Sequence, residues 1–292
     1  MKICAITMVY RDYWALSQWY AHYGRALGPE NLYVVAHGVD PKLQEICPEA
    51  NVFAIPREDL NRFDQIRGDW LNNLQNGLGQ VYDWVIRTDA DELICLDPSQ
   101  YESFEDLLSR QDRGALFSLG LNLFEFPEDA PLEDGDMALV HRPNAVFTGH
   151  YSKAWVVRNR IGLKRHGIQV RPKLVPDYPF DMPRGVYMVH LKYANIEACE
   201  KADHERQLVA RREGRGLPGA LWRNATKSSV RQYHRALQLP LASWEEAEDE
   251  AWHALQDPER DVKNGFIRAR FLKFSVRTEL PDWFKHDSAP QA

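Results

Sequence analysis

Val85-Ile86-Arg87-Thr88-Asp89-Ala90-Asp91-Glu92-Leu93 carries an apolar run straight into three carboxylates. Trp84 to Thr88 has the length and content of a buried strand, and the acids follow where that strand reaches its carboxyl end. Unpaired buried carboxylates are costly, so the pattern asks for a cation. Hard oxygen ligands suit Mg²⁺ or Mn²⁺, and either ion keeps open positions for phosphate oxygens. Alternation in extended chain points Asp89 and Asp91 to one side and turns Glu92 away. Asp89 and Asp91 are therefore the expected metal-binding centre; a purely structural role for the same acids is to cap the turn that follows.

Working outward, the preceding segments alternate between two periods. Lys2 to Val9 reads as a buried strand; Leu16, Trp19, Tyr20, Tyr23, Ala26 and Leu27 then follow helical spacing, with Gly28-Pro29 as the stop. Asn31 to Ala36 and Asn51 to Ile55 read as further strands, and Phe63, Ile66, Trp70, Leu74 and Leu78 as one face of a second helix. Trp84 to Thr88 is then the fourth strand. Such alternation predicts an α/β fold, a mostly parallel Rossmann-like sheet flanked by helices, with the carboxyl ends of its strands on one ligand-binding edge. Ser103 to Leu108 reads as a short capped helix, and Ala115 to Leu121, Ala154 to Arg158 and Gly185 to Tyr193 as strands. Pro127 to Asp136 is an acidic, proline-broken loop expected to act as a flexible lid. Residues 1–195 are expected to form one α/β domain, with a first half over 1–125 and a second over 126–195, and residues 196–292 a helical C-terminal extension.

The 292-residue chain has a formal net charge of -6, which argues against nucleic acid as a partner. Positive charge nevertheless collects between Lys201 and Arg235, as a solvated helix face or as a face turned to an anionic substrate. The longest apolar runs fall far short of the roughly 20 residues of a membrane helix. Met1-Lys2 leads directly into strand-like Ile3-Cys4-Ala5-Ile6, so no signal peptide is expected and the cytoplasm is the expected location. Cys4, Cys47, Cys95 and Cys199 lack zinc-ligand spacing and read as reduced, mostly buried thiols.

Three stretches carry a resemblance: Thr7-Met8-Val9-Tyr10-Arg11-Asp12 followed by Leu16 and Trp19; Val34 to Asp40; and Trp84 to Glu92. In these the chain resembles nucleotide-sugar glycosyltransferases of the GT-A fold, in their family-two-like bacterial branch, over about residues 1–125. The resemblance implies transfer of a sugar from a nucleoside-diphosphate donor, a UDP-sugar foremost, to a glycan or lipid-linked acceptor in surface polysaccharide or other glycan synthesis. It also implies that Thr7, Val9, Tyr10 and Arg11 line the nucleotide pocket, that Asp40 sits near the base, and that His190 is an additional metal ligand. Lys153 and His166 fall on the acceptor side. The chain departs from the pattern where Tyr10-Arg11-Asp12 replaces the usual Asn-Glu and His37-Gly38-Val39-Asp40 the usual Asp-Gly-Ser. Asp12 serves equally as a helix N-cap and Asp40 as a turn residue.

Two further residues come from position alone. Arg67, one turn into the second helix, is placed to reach the diphosphate, with surface solvation the alternative. Glu125, between Phe124 and Phe126 near a strand end, is the expected general base of an inverting transfer, chosen over Glu128, Asp134 and Asp136. A nucleotidyltransferase usually carries an amino-terminal glycine-rich phosphate loop and a dehydrogenase a GxGxxG; this sequence has neither. A non-catalytic nucleotide- or sugar-binding module of the same fold is the reading from a different class.

Overall fold

In the computed structural model, which describes residues 1–158, 160–212 and 214–286, the N-terminal stretch folds as its alternation demands. It runs β1 (Ile3–Val9), α1 (Tyr13–Leu27), β2 (Leu32–His37), α2 (Lys42–Ile46), β3 (Asn51–Ile55), α3 (Phe63–Leu78) and β4 (Trp84–Arg87). The strands pair in parallel in the order β3-β2-β1-β4, so their carboxyl ends share one edge.

Helix α1 shows how the sequence sets this geometry. Asp12 caps it by accepting from Ala15 N–H at 3.4 Å, and it stops at Gly28, whose φ of +82° is costly for any residue with a Cβ. Leu16, Trp19 and Tyr23 recur on one face and are wholly buried, each side chain worth on the order of 2–3 kcal/mol of transfer free energy. Their polar tips do more than satisfy themselves. Trp19 Nε1 donates to Thr88 Oγ1 at 2.9 Å, and Ile94 N–H donates to Tyr23 Oη at 3.0 Å, clamping the chain on both sides of the acids.

After the acids the chain enters a second sheet through β5 (Glu92–Leu96), followed by α4 (Phe104–Ser109). The single strand expected over Ala115 to Leu121 divides at Ser118 into β6 (Ala115–Phe117) and β7 (Leu119–Phe124), which belong to different sheets. Gly120 permits the crossing, because a Cβ there would lie 2.1 Å from the Tyr151 carbonyl carbon. Next come α5 (Ala138–His141), β8 (Asn144–Phe147), β9 (Ala154–Val157), β10 (Gly162–Lys164), β11 (Gly167–Gln169) and β12 (Val186–Tyr193). The remainder comprises α6 (Ile196–Ala210), α7 (Ala220–Arg223), α8 (Ala225–Gln238), α9 (Trp244–Ala254), β13 (Glu259–Asp261), β14 (Phe266–Arg268), β15 (Thr278–Glu279) and α10 (Trp283–His286).

The completed first sheet reads β3-β2-β1-β4-β9-β6, the second β15-β8-β7-β12-β5, and a small third β10-β11-β14-β13. The fold is mixed α/β, with a Rossmann-like parallel core flanked by helices. The region after Ile196 is mainly helical, and its short strands β14 and β15 pair with β11 and β8 of the preceding sheets. All four cysteines are buried. Among the described residues, no helix is long and apolar enough to cross a membrane.

Candidate active site

The acids stand at the junction of two sheets. Glu92 N–H donates to Asp89 O at 3.1 Å, a turn that swings the chain out of β4 and into β5. Carboxylate oxygens of Asp89, Asp91 and Glu92 lie within 4.8 Å of one another. Their environments differ. Glu92 is fully buried and already engaged: it accepts from Asp89 N–H at 2.9 Å and is paired with Lys153 Nζ at 2.6 Å. Burial pushes its carboxyl up to about 7 against the pull of Lys153. Asp89 is half exposed, pairs with Arg67, and has Lys153 Nζ at 3.5 Å. Burial acts to raise Asp89, and Arg67 and Lys153 outweigh it, holding the group well below the usual carboxylate range.

Asp91 meets a histidine because β12 pairs antiparallel with β5, setting His190 opposite Glu92. His190 Nε2 lies 3.2 Å from Asp91 Oδ2, and Nδ1 is 2.7 Å from Asn122 Oδ1, with the Tyr151 ring stacked on the imidazole at 3.6 Å. An amide oxygen only accepts, so Nδ1 carries the proton and the neutral ring turns a lone pair toward Asp91. Burial favours that neutral form by pushing His190 down. Asp91 itself is held at about 2: burial would raise it, but a proton held between the carboxylate and His190, together with the Arg206 guanidinium, outweighs burial. A neutral imidazole and a carboxylate facing each other at this distance are two acceptors that a proton or a metal ion must bridge. Asp89, Asp91 and His190 thus fit a hard divalent cation, with Asn122 orienting the imidazole as outer-shell partners do.

Two cavities meet at these acids. The first, of about 200 Å³, lies over the carboxyl ends of β1, β2 and β4 and under α6. Val9, Tyr10, Arg11 and Arg67 line it, and so do His37, Arg57, Phe63, Arg206 and Trp222. Its aromatic and cationic groups are interleaved: Arg57 lies 3.4 Å over the Tyr10 ring and donates to His37 Nδ1 at 3.1 Å, while Phe63 stacks with His37 and meets Trp222 edge-on. Arg206, one member of the basic run Lys201 to Arg235, reaches in beside Asp91 at 3.8 Å. The second cavity, of about 630 Å³, is lined by His150, Tyr151, His166, His190, Lys192, Arg235 and Phe271 among others. Asp64, Asp89, Asp91, Arg206 and Trp222 line both.

Other expected residues are placed elsewhere. Thr7 is buried within β1 and lines neither cavity. Asp40 also lies outside them, accepting from Tyr13 Oη at 2.9 Å and Lys42 N–H at 3.2 Å, a turn-residue role. Lys153 sits beneath the acids as the counter-charge of Glu92 and lines neither cavity, whereas His166 lines the second. Glu125 requires a correction as general base. Its carboxylate accepts from Ile196 N–H at the start of α6, at 3.0 Å, and lies 3.5 Å from the buried Arg142 guanidinium, outside both cavities. In an extended strand end, Phe124 faces the second cavity and its neighbour Glu125 is turned from it.

The loop 127–136 likewise departs from the lid expected of it. Arg142 donates to Ala130 O at 2.8 Å and Gln18 to Asp136 O at 2.8 Å, and none of its residues lines either cavity. The residues that sequence reasoning missed gave weak signals. Arg57 follows β3 in a polar loop, and Trp222 comes from a region far along the chain.

No family model matches the chain, and no curated protein matches it significantly. Among solved structures it is similar to a CMP:2-keto-3-deoxy-manno-octonic acid synthetase complexed with CTP, at 12% identity over 54% of this chain and 74% of that one, with a TM-score of 0.30. It is also similar to a mannose-1-phosphate geranyltransferase from Thermus thermophilus, at 13% identity over 96% of this chain and 74% of that one, with a TM-score of 0.29.

Proposed function

We propose that this chain is a metal-dependent glycosyltransferase of the GT-A type, moving a sugar from a nucleoside-diphosphate sugar, foremost a UDP-sugar, to a glycan or lipid-linked acceptor. One observation carries the reading: Asp89 and Asp91 stand where a small aromatic and guanidinium-lined cavity meets a larger one. The first cavity suits a nucleoside diphosphate, with Tyr10, His37 and Trp222 for the base or ribose and Arg57, Arg67 and Arg206 for phosphate oxygens. The second is left for the acceptor.

Asp91 and His190 would hold Mn²⁺ or Mg²⁺ directly, with Asp89 beside the ion or the donor ribose. A divalent ion bound there supplies charge neutralisation to the departing diphosphate. The protein's own share is positional. Arg67 and Arg206 orient the leaving group, and enclosing donor and acceptor on either side of the acids converts a bimolecular encounter into a near-unimolecular one. In this reading residues 1–195 form the catalytic domain, 1–125 its nucleotide half and 126–195 its acceptor half, and the extension 196–292 contributes Arg206 and Trp222 to the donor site.

The test is a panel of nucleotide sugars with Mn²⁺, scored for release of the nucleoside diphosphate, run beside nucleoside triphosphates with sugar 1-phosphates, scored for pyrophosphate. Nucleoside diphosphate release that chelation abolishes supports the reading. Pyrophosphate release alone makes the chain a nucleotidyltransferase, and metal-dependent binding of nucleotide with turnover of neither makes it a binding module.

A further inference from the structure

With Glu125 committed to α6 and Arg142, an inverting transfer still needs a base, and the cavities define where it must be. The acceptor hydroxyl approaches from the larger cavity and the anomeric carbon from the smaller, so the base belongs to the residues that line both. Of these five, Arg206 and Trp222 do not take protons at neutral pH. Asp89 is paired with Arg67 and Lys153, and Asp91 faces His190 and Arg206. Asp64 remains. It is exposed to both cavities, and among the described residues its carboxylate is within hydrogen-bond or ion-pair distance of none, Arg67 and Asp89 acting on it only electrostatically from further off.

The backbone around Asp64 is built with care. Asp64 occupies the first turn of α3, and the preceding cap residue, Arg62, is held at φ +52°, a left-handed conformation that few non-glycine residues adopt. Two hydrogen bonds from the C-terminal region enforce it. Arg62 N–H donates to Arg215 O at 2.7 Å, and Arg215 N–H donates to Asn61 Oδ1 at 2.6 Å. Strain maintained by a distant segment, two residues before an uncommitted carboxylate at a cavity junction, marks a functional position.

We propose that Asp64 is the general base of the transfer, an assignment that rests on the glycosyltransferase reading above. The acceptor hydroxyl gives its proton to the Asp64 carboxylate while its oxygen forms a bond to the anomeric carbon. The bond from that carbon to the diphosphate oxygen breaks, its electron pair leaves with the nucleoside diphosphate, and the anomeric configuration inverts.

The experiment compares two nucleophiles on the full chain, with Mn²⁺ and whichever nucleotide sugar the wild type hydrolyses. Water must lose a proton as it attacks; azide carries its charge already and needs no base. In Asp64→Asn, hydrolysis should fall by about 10²-fold or more, while formation of the inverted glycosyl azide continues near the wild-type rate. Thermal stabilisation by UDP with Mn²⁺ should match wild type, which establishes that the variant folds and binds nucleotide; Asp64→Ser serves as the second variant with the same expectation. Unchanged hydrolysis, equal loss with both nucleophiles, or a product of retained configuration overturns the assignment while leaving glycosyl transfer intact. A wild type that turns over no nucleotide sugar overturns both.

Discussion

His190 Nε2 faces Asp91 Oδ2 across 3.2 Å, two atoms brought together by the antiparallel pairing of β12 with β5 although they lie far apart in sequence. Because Asn122 fixes the tautomer, the pair is primed for a cation in the absence of any nucleotide. Mn²⁺ affinity, measured by titration calorimetry on the full chain, should therefore fall steeply in Asp91→Asn. Asn122→Ala should lose roughly 10–100-fold, the range for removing a group that orients a metal-bound imidazole. Unchanged affinity in Asn122→Ala would make the His190–Asn122 bond a packing feature only.

Glu125 gives the opposite expectation. Its partners are Ile196 N–H and the buried Arg142, so Glu125→Gln should lower stability by about 1–3 kcal/mol and leave kcat near the wild-type value below the melting range. Denaturant unfolding followed by a rate measurement decides it. A large kcat loss at unchanged stability would return Glu125 to the catalytic machinery.

The contrast between these residues shows what the sequence discloses. Parallel order and the placement of Asp89 and Asp91 were legible because periodicity and strand ends are local properties: α3 and β3 fall on the very residues expected. Strand β5 was missed because Glu92 to Leu96 follows the acids without a turn signal, and the division of Ala115 to Leu121 depends on which sheet each half joins. Arg206, Trp222 and Asp64 enter the site through tertiary packing of α6 and α7 against the N-terminus of α3, which no local pattern encodes. Glu125 was chosen for its position at a strand end; one residue of alternation places it on the other side.

The acidic loop 127–136 should be dispensable for water exclusion. Gln18 bonds both sides of its exit, donating to Asp136 O and accepting from Ala138 N–H, each at 2.8 Å, and Arg142 holds Ala130. Replacing Glu128 to Gly135 by a glycine-serine linker should leave the ratio of donor hydrolysis to transfer unchanged and lower the melting temperature modestly. A raised ratio would show that the loop closes over the donor after all.

Lys153 separates stability from acceptor binding and makes the pH dependence readable. It is buried beneath the acids, where burial would lower its pKa and the charges of Glu92 and Asp89 outweigh that effect. Removing one partner of a buried pair leaves the other uncompensated, so Lys153→Met should cost up to about 3–5 kcal/mol at a pH well above 7, where Glu92 would otherwise be ionised. The sign with pH follows from Glu92, which burial has pushed up to about 7 from an ordinary 4.5 despite Lys153. A carboxyl whose folded pKa exceeds its unfolded one costs stability progressively as pH rises between the two values. Loss of Lys153 lifts the folded value further, so the additional ionisation penalty accrues above about pH 7 and is absent near pH 5, where Glu92 is protonated with or without its partner. The melting-temperature deficit of Lys153→Met should therefore be larger at pH 8.5 than at pH 5.5, and the double variant Lys153→Met/Glu92→Gln should recover much of the loss at the higher pH. A deficit independent of pH, unrelieved by Glu92→Gln, would mean that Lys153 contributes through packing of its aliphatic stem. A stable Lys153→Met that binds nucleotide normally but has lost affinity for acceptor would restore the acceptor-side role that the sequence resemblance implied.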